Sequence, residues 1–221
     1  MNLESLLAQN LDAFTPLFAP ALTASNCVAM DLSSSSGEFA GLGEAELDRA
    51  ILKKLADADA LAGVGGYLEN RSLYRDTDLF QGDIERCIHI GVDVFMVANT
   101  QLHAPLNGEV HSFANRQVWG DYGPVIILRH ELDGVEFHTL YGHLAETSLD
   151  GLRPGKPIAA GDAFARIGAR PRNGNWPPHL HFQLIADMQG GRGDYPGVVR
   201  AEELEYYRQN CPDPTCLLVS A

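Results

Sequence analysis

Residues 179–185, His-Leu-His-Phe-Gln-Leu-Ile, alternate between polar and apolar side chains. Successive side chains of a β-strand point to opposite faces, so His179, His181 and Gln183 share one face and the leucines and phenylalanine share the other. Burying two neighbouring imidazoles as cations is costly, and a bound metal is one reason to gather them. The pattern predicts a strand with a polar site on one face and core on the other.

A second motif, His89-Ile-Gly-Val-Asp93, lies about ninety residues earlier. A flat strand would separate His89 and Asp93 by roughly 13 Å, at about 3.3 Å per residue, too far for both to reach one ion. The β-branched residues at alternate positions from 88 to 94 argue against a helix. Gly91 permits a bend or bulge, so we predict a strand, a kink and a second strand.

A third motif, Thr-Leu-Tyr-Gly-His-Leu, occupies residues 139–144. Regular alternation would place Thr139, Tyr141 and His143 on one face, with Leu140 and Leu144 on the other. We therefore expect His143 to project from a strand end toward a pocket.

The order H-x-x-x-D, then Y-x-H-L, then H-x-H closely resembles the lysostaphin-type zinc metallopeptidases, a family that cleaves peptides of bacterial peptidoglycan. Three supporting runs also match: A-P-L-N-G-E-V from residue 104, Y-G-P-V-I-I-L from residue 122 and P-G-K-P-I-A-A-G from residue 154. The resemblance spans about residues 85 to 188.

The resemblance implies that His89, Asp93 and His181 bind one zinc ion, and that His143 and His179 are the catalytic histidines without a bond to the metal. Three protein ligands leave a fourth tetrahedral position for water. One carboxylate and two neutral imidazoles leave a net positive charge, which favours bound hydroxide and polarises a carbonyl oxygen. The two catalytic histidines would hold the attacking water, move its proton to the leaving amine and stabilise the oxyanion, in roles that the sequence leaves unassigned.

The remaining four histidines do not belong to these motifs, and we expect them to be ordinary surface or hydrogen-bonded core residues. They are His103, His111, His130 and His138. An isolated H-x-H is weak support for a metal site. Three motifs in order with matching turns are much stronger, so we favour a functional interpretation of the five-residue set.

The chain of 221 residues has 16 basic and 29 acidic residues and a net charge of -13. This excess disfavours nucleic acid, anionic membranes and wall polymers as partners. The first residues form an amphipathic helical pattern rather than a signal peptide, and no apolar run approaches the roughly 20 residues of a membrane span. We expect a cytoplasmic protein, and the oligomeric state stays open.

Short β-rich runs broken by Gly, Pro, Asn and Asp dominate from residue 88 onward and predict a mainly β fold with an antiparallel, barrel- or sandwich-like core. Helices are predicted at residues 1–18 and 44–61, a strand at 26–32 and a short helical patch at 201–207. We expect an N-terminal extension of helices and a strand over residues 1–84, packed on a peptidase-like core over residues 85–188. A tail follows at 189–221, and the whole forms one compact unit.

Residues 65–75 are either an ordered loop or one wall of a substrate groove. In the second case Tyr67 and Arg71 would bind substrate, with Arg71 meeting a carboxylate bidentately, and Trp176 would narrow the cleft. The lead-in containing Trp176, with Met-Asp-Leu-Ser from residue 30 and Cys-Pro-Asp-Pro from residue 211, is similar to the peptidase-like domain fused to class III aminotransferases in some large bacterial proteins. That similarity does not settle the substrate.

Two classes of function follow. The leading hypothesis is a zinc-dependent hydrolase of amide bonds acting on a muropeptide or another small soluble peptide, with an ester or a non-peptide amide as a variant of the same chemistry. The alternative is a non-catalytic or regulatory metal-binding module that binds a partner or peptide. Loss of His143 or His179 would favour the alternative, and both are present.

Overall fold

The computed structural model describes residues 2–39, 41–71 and 86–220. An eight-stranded sheet is its largest element, which confirms the predicted mainly β class. The strand order is β10-β7-β8-β9-β12-β5-β3-β2, and every neighbouring pair is antiparallel except β2 and β3. Three two-stranded pairs flank it: β1 with β14, β6 with β11, and β4 with β13.

The described strands are β1 Leu22–Thr23, β2 Cys27–Met30, β3 Ala62–Gly65, β4 Ile88–His89, β5 Val92–Phe95, β6 Gln101–His103, β7 Gly108–Arg116, β8 Gly123–Leu132, β9 Val135–Gly142, β10 Pro157–Ile158, β11 Ala163–Arg166, β12 His179–Ile185, β13 Val198–Val199 and β14 Val219–Ser220. The α-helices are α1 Leu3–Gln9, α2 Glu44–Asp57, α3 Leu204–Asn210 and α4 Thr215–Leu218. Short 3-10 turns occupy Leu11–Ala13, Glu146–Leu149 and Ala201–Glu203.

The long strands β7, β8 and β9 form the meander on which the site is built. Asp133 and Gly134 both have positive φ at the turn between β8 and β9, as a tight hairpin of matching twist requires. Residues 125–128 of β8 are completely buried. The meander is therefore a rigid support for the end of β9, where His143 follows.

Strand β12 lies between β9 and β5, and its register aligns two of the sequence motifs. His181 pairs with Gly142 of β9 on one side and with Asp93 of β5 on the other. Side chains directly opposite one another in an antiparallel pair point to the same face, so Asp93 and His181 share a face.

The predicted kink between His89 and Asp93 is confirmed, because β4 and β5 belong to different sheets. β4 pairs with β13, whereas β5 pairs with β12 and β3. Gly91 lies between them, and a Cβ added there would lie 2.6 Å from Cε1 of His181. Position 91 therefore requires glycine because the imidazole of His181 lies so close to it, and not only because the chain bends there.

The N-terminal residues contribute two strands to the same sheet. β2 and β3 are parallel and joined through α2, the crossover that a parallel pair needs, and β3 then pairs with β5. One side of α2 packs Leu47 and Ile51 into an apolar cluster with Phe95. The extension is thus continuous with the strand that carries Asp93.

Some predicted boundaries were wrong. The first helix ends at Gln9 instead of residue 18, and a 3-10 turn follows it. The second ends at Asp57 rather than residue 61, where Asp59 adopts positive φ. The C-terminal helical patch extends to Asn210. Among the described helices, none combines the length and apolar character needed to cross a membrane.

Candidate metal and catalytic site

The structure brings the three predicted ligands together. Nε2 of His89 lies 2.8 Å from Nδ1 of His181, and Oδ1 of Asp93 lies 3.3 Å and 3.2 Å from those two nitrogens. All three side chains are buried. Ligands of a four-coordinate zinc at bond lengths near 2 Å are separated from one another by roughly 3.3 Å, so the three atoms suit one ion.

The outward atoms of His181 and Asp93 are fixed by other residues. Gln183 donates from Nε2 to the Pro196 carbonyl, so its Oε1 accepts from Nε2 of His181 at 3.0 Å. His181 therefore presents an unprotonated Nδ1 to Asp93. Oδ2 of Asp93 accepts from Nη1 of Arg71 at 2.5 Å, while its buried Oδ1 accepts no hydrogen bond from any residue that the structure describes. The converging lone pairs fit a cation, and the chemistry of a carboxylate with two imidazoles fits zinc.

His143 and His179 lie next to this cluster. Their ring centroids are 4.3 Å apart, and Nε2 of His179 is 3.7 Å from Oδ1 of Asp93. Nδ1 of His143 donates to the carbonyl of Asn173 at 2.9 Å, and Nδ1 of His179 donates to the carbonyl of Pro177 at 2.7 Å. A carbonyl oxygen only accepts, so the neutral form of each ring has an unprotonated Nε2.

The expected alternation around His143 was wrong. Tyr141 packs in the main core with Phe182, and Leu140 lies on the opposite face with Ile185. Regular alternation would therefore send residue 143 into the core. His143 instead has φ of +60°, a conformation that is rare for residues other than glycine. This local reversal turns its ring toward the face that holds His181, and such strain is found where a site over-determines the backbone.

Burial favours the neutral form of three imidazoles at the site, those of His89, His143 and His179. It lowers the pKa of His89 to about 3, and the nearby Arg71 charge acts in the same direction. Burial also lowers the pKa of His143 and His179, more strongly for His143. For Asp93, burial alone would raise the pKa, but His89 and Arg71 outweigh it and hold the pKa well below its usual range. A charged carboxylate beside neutral imidazoles is the protonation state that metal binding needs.

Arg71 occupies a different position from the one expected. Its side chain is only 3% exposed and forms ion pairs with Glu69 at 2.8 Å and with Asp93 at 2.5 Å. The guanidinium that we expected to meet a substrate carboxylate is thus engaged by two carboxylates of the protein itself. Arg71 does line the cavity, but as the ion-pair partner of Asp93.

Tyr67 also departs from its expected place, because its hydroxyl donates to the carbonyl of Cys211 and its ring packs against the main core. It is not among the described residues that line the cavity at the site. Residues 72–75 of the predicted groove wall lie outside the described residues. Trp176 does line the cavity, as expected.

A cavity of about 360 Å³ opens at the histidine cluster. The sequence predicted five of its lining residues, together with Arg71 and Trp176. It missed Tyr122, which also lines the cavity, and Asn173, which contacts His143. Tyr122 packs on both His143 and His181, with ring centroids 5.8 Å and 5.2 Å away, and Asn173 sets the tautomer of His143. The only sequence signal for Tyr122 was its place in the supporting run that begins at residue 122. Asn173 contacts His143 through its backbone carbonyl, which every residue has, so the sequence gives no signal for it.

Comparison with known proteins identifies the family. Residues 87–192, which contain all five motif residues, match the model of peptidase family M23. This part of the chain belongs to peptidase family M23. The residues at the site are consistent with that membership, because all five polar residues of the resemblance are present and adjacent.

Several solved structures are also similar to the chain, at low sequence identity and low TM-score. A zinc-containing peptidase from Vibrio cholerae shares 23% identity over 44% of this chain and 27% of its own, with a TM-score of 0.35. LytU shares 24% over 64% of this chain and 86% of its own, with a TM-score of 0.37. Lysostaphin from Staphylococcus simulans shares 26% over 59% of this chain and 43% of its own, also at 0.37. The chain thus spans under a third of the Vibrio peptidase, and the family assignment rests on the family model.

Among curated proteins, no significant match to the chain was found. The similarity to the domain fused to class III aminotransferases stays a prediction.

Proposed function

We propose that the protein is a zinc-dependent peptidase that hydrolyses an amide bond in a muropeptide or another small soluble peptide in the cytoplasm. One observation carries the proposal. His89, Asp93 and His181 converge at the end of a cavity into which His143 and His179 each present an unprotonated Nε2.

His89, Asp93 and His181 would hold one zinc ion through Nε2, a carboxylate oxygen and Nδ1. When bound, the ion supplies Lewis acidity that polarises the substrate carbonyl and lowers the pKa of water. Arg71 restrains Oδ2 of Asp93, so the carboxylate offers a single oxygen and leaves room for other ligands. Membership of the M23 family supports peptidase chemistry, and the donor set supports zinc.

His143 and His179 carry the proton chemistry. Each Nε2 can accept a hydrogen bond from water and then a proton, and a protonated ring can donate to the leaving amine or to the oxyanion. The proton that leaves the water thereby ends on the amine nitrogen, and the broken amide gives a carboxylate and an amine. Burial of both rings excludes bulk water from this transfer.

The substrate assignment rests on size and charge. A cavity of about 360 Å³ lies at the lower end of small-ligand sites, which are roughly 300–1,000 Å³. A net charge of -13 would repel anionic wall polymers at long range. Both favour a short soluble peptide over the cross-linked wall.

The test is metal analysis combined with product analysis by mass spectrometry on defined peptides, muropeptides and purified walls. We expect about one zinc per chain, cleavage of at least one small substrate and poor lysis of walls. Stoichiometric zinc without any hydrolysis would favour the regulatory metal-binding module. Cell fractionation tests the cytoplasmic location, and recovery outside the cytoplasm would overturn that part.

A further inference from the structure

One wall of the cavity is apolar and is built mostly from the N-terminal residues. It consists of Leu32, Leu47, Ile51 and Phe95, here named the apolar wall. All four side chains pack in one cluster and are only 4–7% exposed. They are therefore held by their neighbours, while their remaining exposed surface faces the cavity.

The apolar wall begins at the catalytic histidines. The Phe95 ring stacks on His179 with centroids 4.9 Å apart and planes at 23°. Phe95 ends β5, the strand of Asp93, and pairs in register with His179. A group bound on this wall would thus lie beside the reacting bond.

Polar contacts fix α2, which carries two of the wall residues. Nη2 of Arg170 lies 3.1 Å from Oδ1 of Asp48, and Nδ2 of Asn175 donates to Glu44 at 2.7 Å. Arg170 and Asn175 belong to the loop that contains Trp176 and leads into β12. The helix and the loop are therefore held together, and the wall is preorganised relative to His179.

Another part of the cavity lining is charged. Arg116 pairs with Asp121 at 2.9 Å and with Asp194 at 3.1 Å, and all three line the cavity. A peptide bound in the cavity would therefore meet apolar surface at the wall and charged side chains elsewhere.

We infer that the apolar wall is a specificity subsite for a leucine- or phenylalanine-like side chain of the residue next to the scissile bond. The inference rests on the proposed function and names its substrate class: peptides with a bulky apolar residue at the point of cleavage. Burying such a side chain instead of leaving it in water strengthens binding by roughly tenfold or more. Glycine offers no such gain.

Amino-acid hydroxamates test the subsite without requiring turnover, because the hydroxamate group binds zinc and the side chain probes its surroundings. Affinities of the hydroxamates of glycine, leucine and phenylalanine for the zinc-loaded full chain would be measured by calorimetry. We expect leucine or phenylalanine hydroxamate to bind about tenfold more tightly than glycine hydroxamate. Equal affinities for the three would overturn the inference.

Two substitutions in α2 test whether the preference for leucine or phenylalanine hydroxamate arises at the apolar wall. Ile51→Phe keeps the residue apolar but shortens the subsite, so it should remove most of the preference while the zinc content stays unchanged. Leu52→Phe is the matched control, because Leu52 is 59% exposed and lies outside the apolar wall. A preference that survives Ile51→Phe would place the subsite elsewhere.

The outcomes separate the two proposals. If none of the hydroxamates binds the zinc-treated protein, the metal site fails, and the subsite fails with it. Binding without discrimination contradicts the subsite alone and leaves the peptidase proposal intact. Should Ile51→Phe lose its fold by circular dichroism, the ranking of the three hydroxamates on the unmodified chain still decides.

Discussion

His130 and His138 lie on the same sheet as His179 and His181, and the four side chains are similarly buried, at 2–4% exposure. His130 uses both nitrogens on protein partners: Nδ1 donates to the Asn107 carbonyl at 3.0 Å, and Nε2 accepts from the Thr139 hydroxyl at 2.8 Å. His179 and His181 each use one nitrogen in this way. Their other nitrogen faces Asp93.

Burial and histidine content therefore do not distinguish the site from the core. The distinguishing feature is a second nitrogen directed at a buried carboxylate beside a cavity; the carboxylate nearest His138 is that of the exposed Glu136. Burial lowers the pKa of His130 to about 4, so this residue is neutral near pH 7 just as the site residues are. Perturbed pKa values alone would have selected both groups.

The largest expected difference between the two groups concerns metal binding. His181→Ala removes a ligand and should abolish zinc binding, measured by elemental analysis after dialysis. His130→Ala should leave about one zinc per chain, provided that it folds. Full occupancy in His181→Ala would exclude that residue from the ligand set.

A smaller but still large effect is expected on turnover. His143→Ala and His179→Ala should retain zinc and lower kcat by about a hundredfold or more, because general acid–base or oxyanion assistance is removed. His111→Ala, a change at a histidine outside the cavity, is the control and should keep the parental rate. Parental turnover in either site variant would contradict the role given to that residue.

Arg71 tests the comparison further, because it forms an ion pair with Asp93, the carboxylate that His179 and His181 face and His130 does not. Arg71→Met leaves Oδ2 of Asp93 without its partner and should weaken zinc binding by about 10- to 100-fold in competition with a chelator. Arg153→Met, at an exposed position, should have no effect. If zinc affinity is unchanged in Arg71→Met, then the ion pair with Asp93 is dispensable for the metal site.

The smallest expected effect is on acid stability. The unfolded chain protonates His130 near pH 6.5, but the folded chain does so only near pH 4, so the unfolded state binds more protons between these values. His130 thus contributes stability above pH 6.5 that is lost as the pH falls toward 4, about 1 to 2 kcal/mol at pH 5. The difference in the free energy of unfolding is measured by urea unfolding of the metal-free protein at pH 7 and pH 5.

His130→Gln is the matched variant for that measurement, since glutamine does not titrate. It should be less stable at pH 7 but should lose less stability between pH 7 and pH 5 than the unmodified chain. Equal losses in the two proteins would show that His130 does not titrate in this range.

The sequence predicted those parts of the site that follow from regular geometry or from short motifs. Alternation along β12 placed His179, His181 and Gln183 on one face because that strand is regular. The same argument failed at His143, where one residue with positive φ reverses the side chain. A single backbone torsion of this kind leaves no trace in a hydrophobic pattern.

Long-range pairing was the second limit of sequence reasoning. Arg71 and Asp93 are 22 residues apart, and nothing local to either residue indicates their ion pair. Likewise, the composition of residues 44–61 predicted a helix, but not that Leu47 and Ile51 would line a cavity. That position depends on the pairing of β3 with β5, which the sequence does not reveal.

The pairing of β3 with β5 also limits how many N-terminal residues can be removed without exposing an edge of the sheet. Residues 87–192 match the family model, yet β5 within them forms its second ladder with β3, which lies outside that segment. A fragment limited to the matched residues would expose an unpaired strand edge next to the bare ring of Phe95, which is a template for intermolecular β-pairing. We therefore expect pairing with β3 to protect β5 from aggregation, so a truncated form of this protein that stays in solution should retain β3.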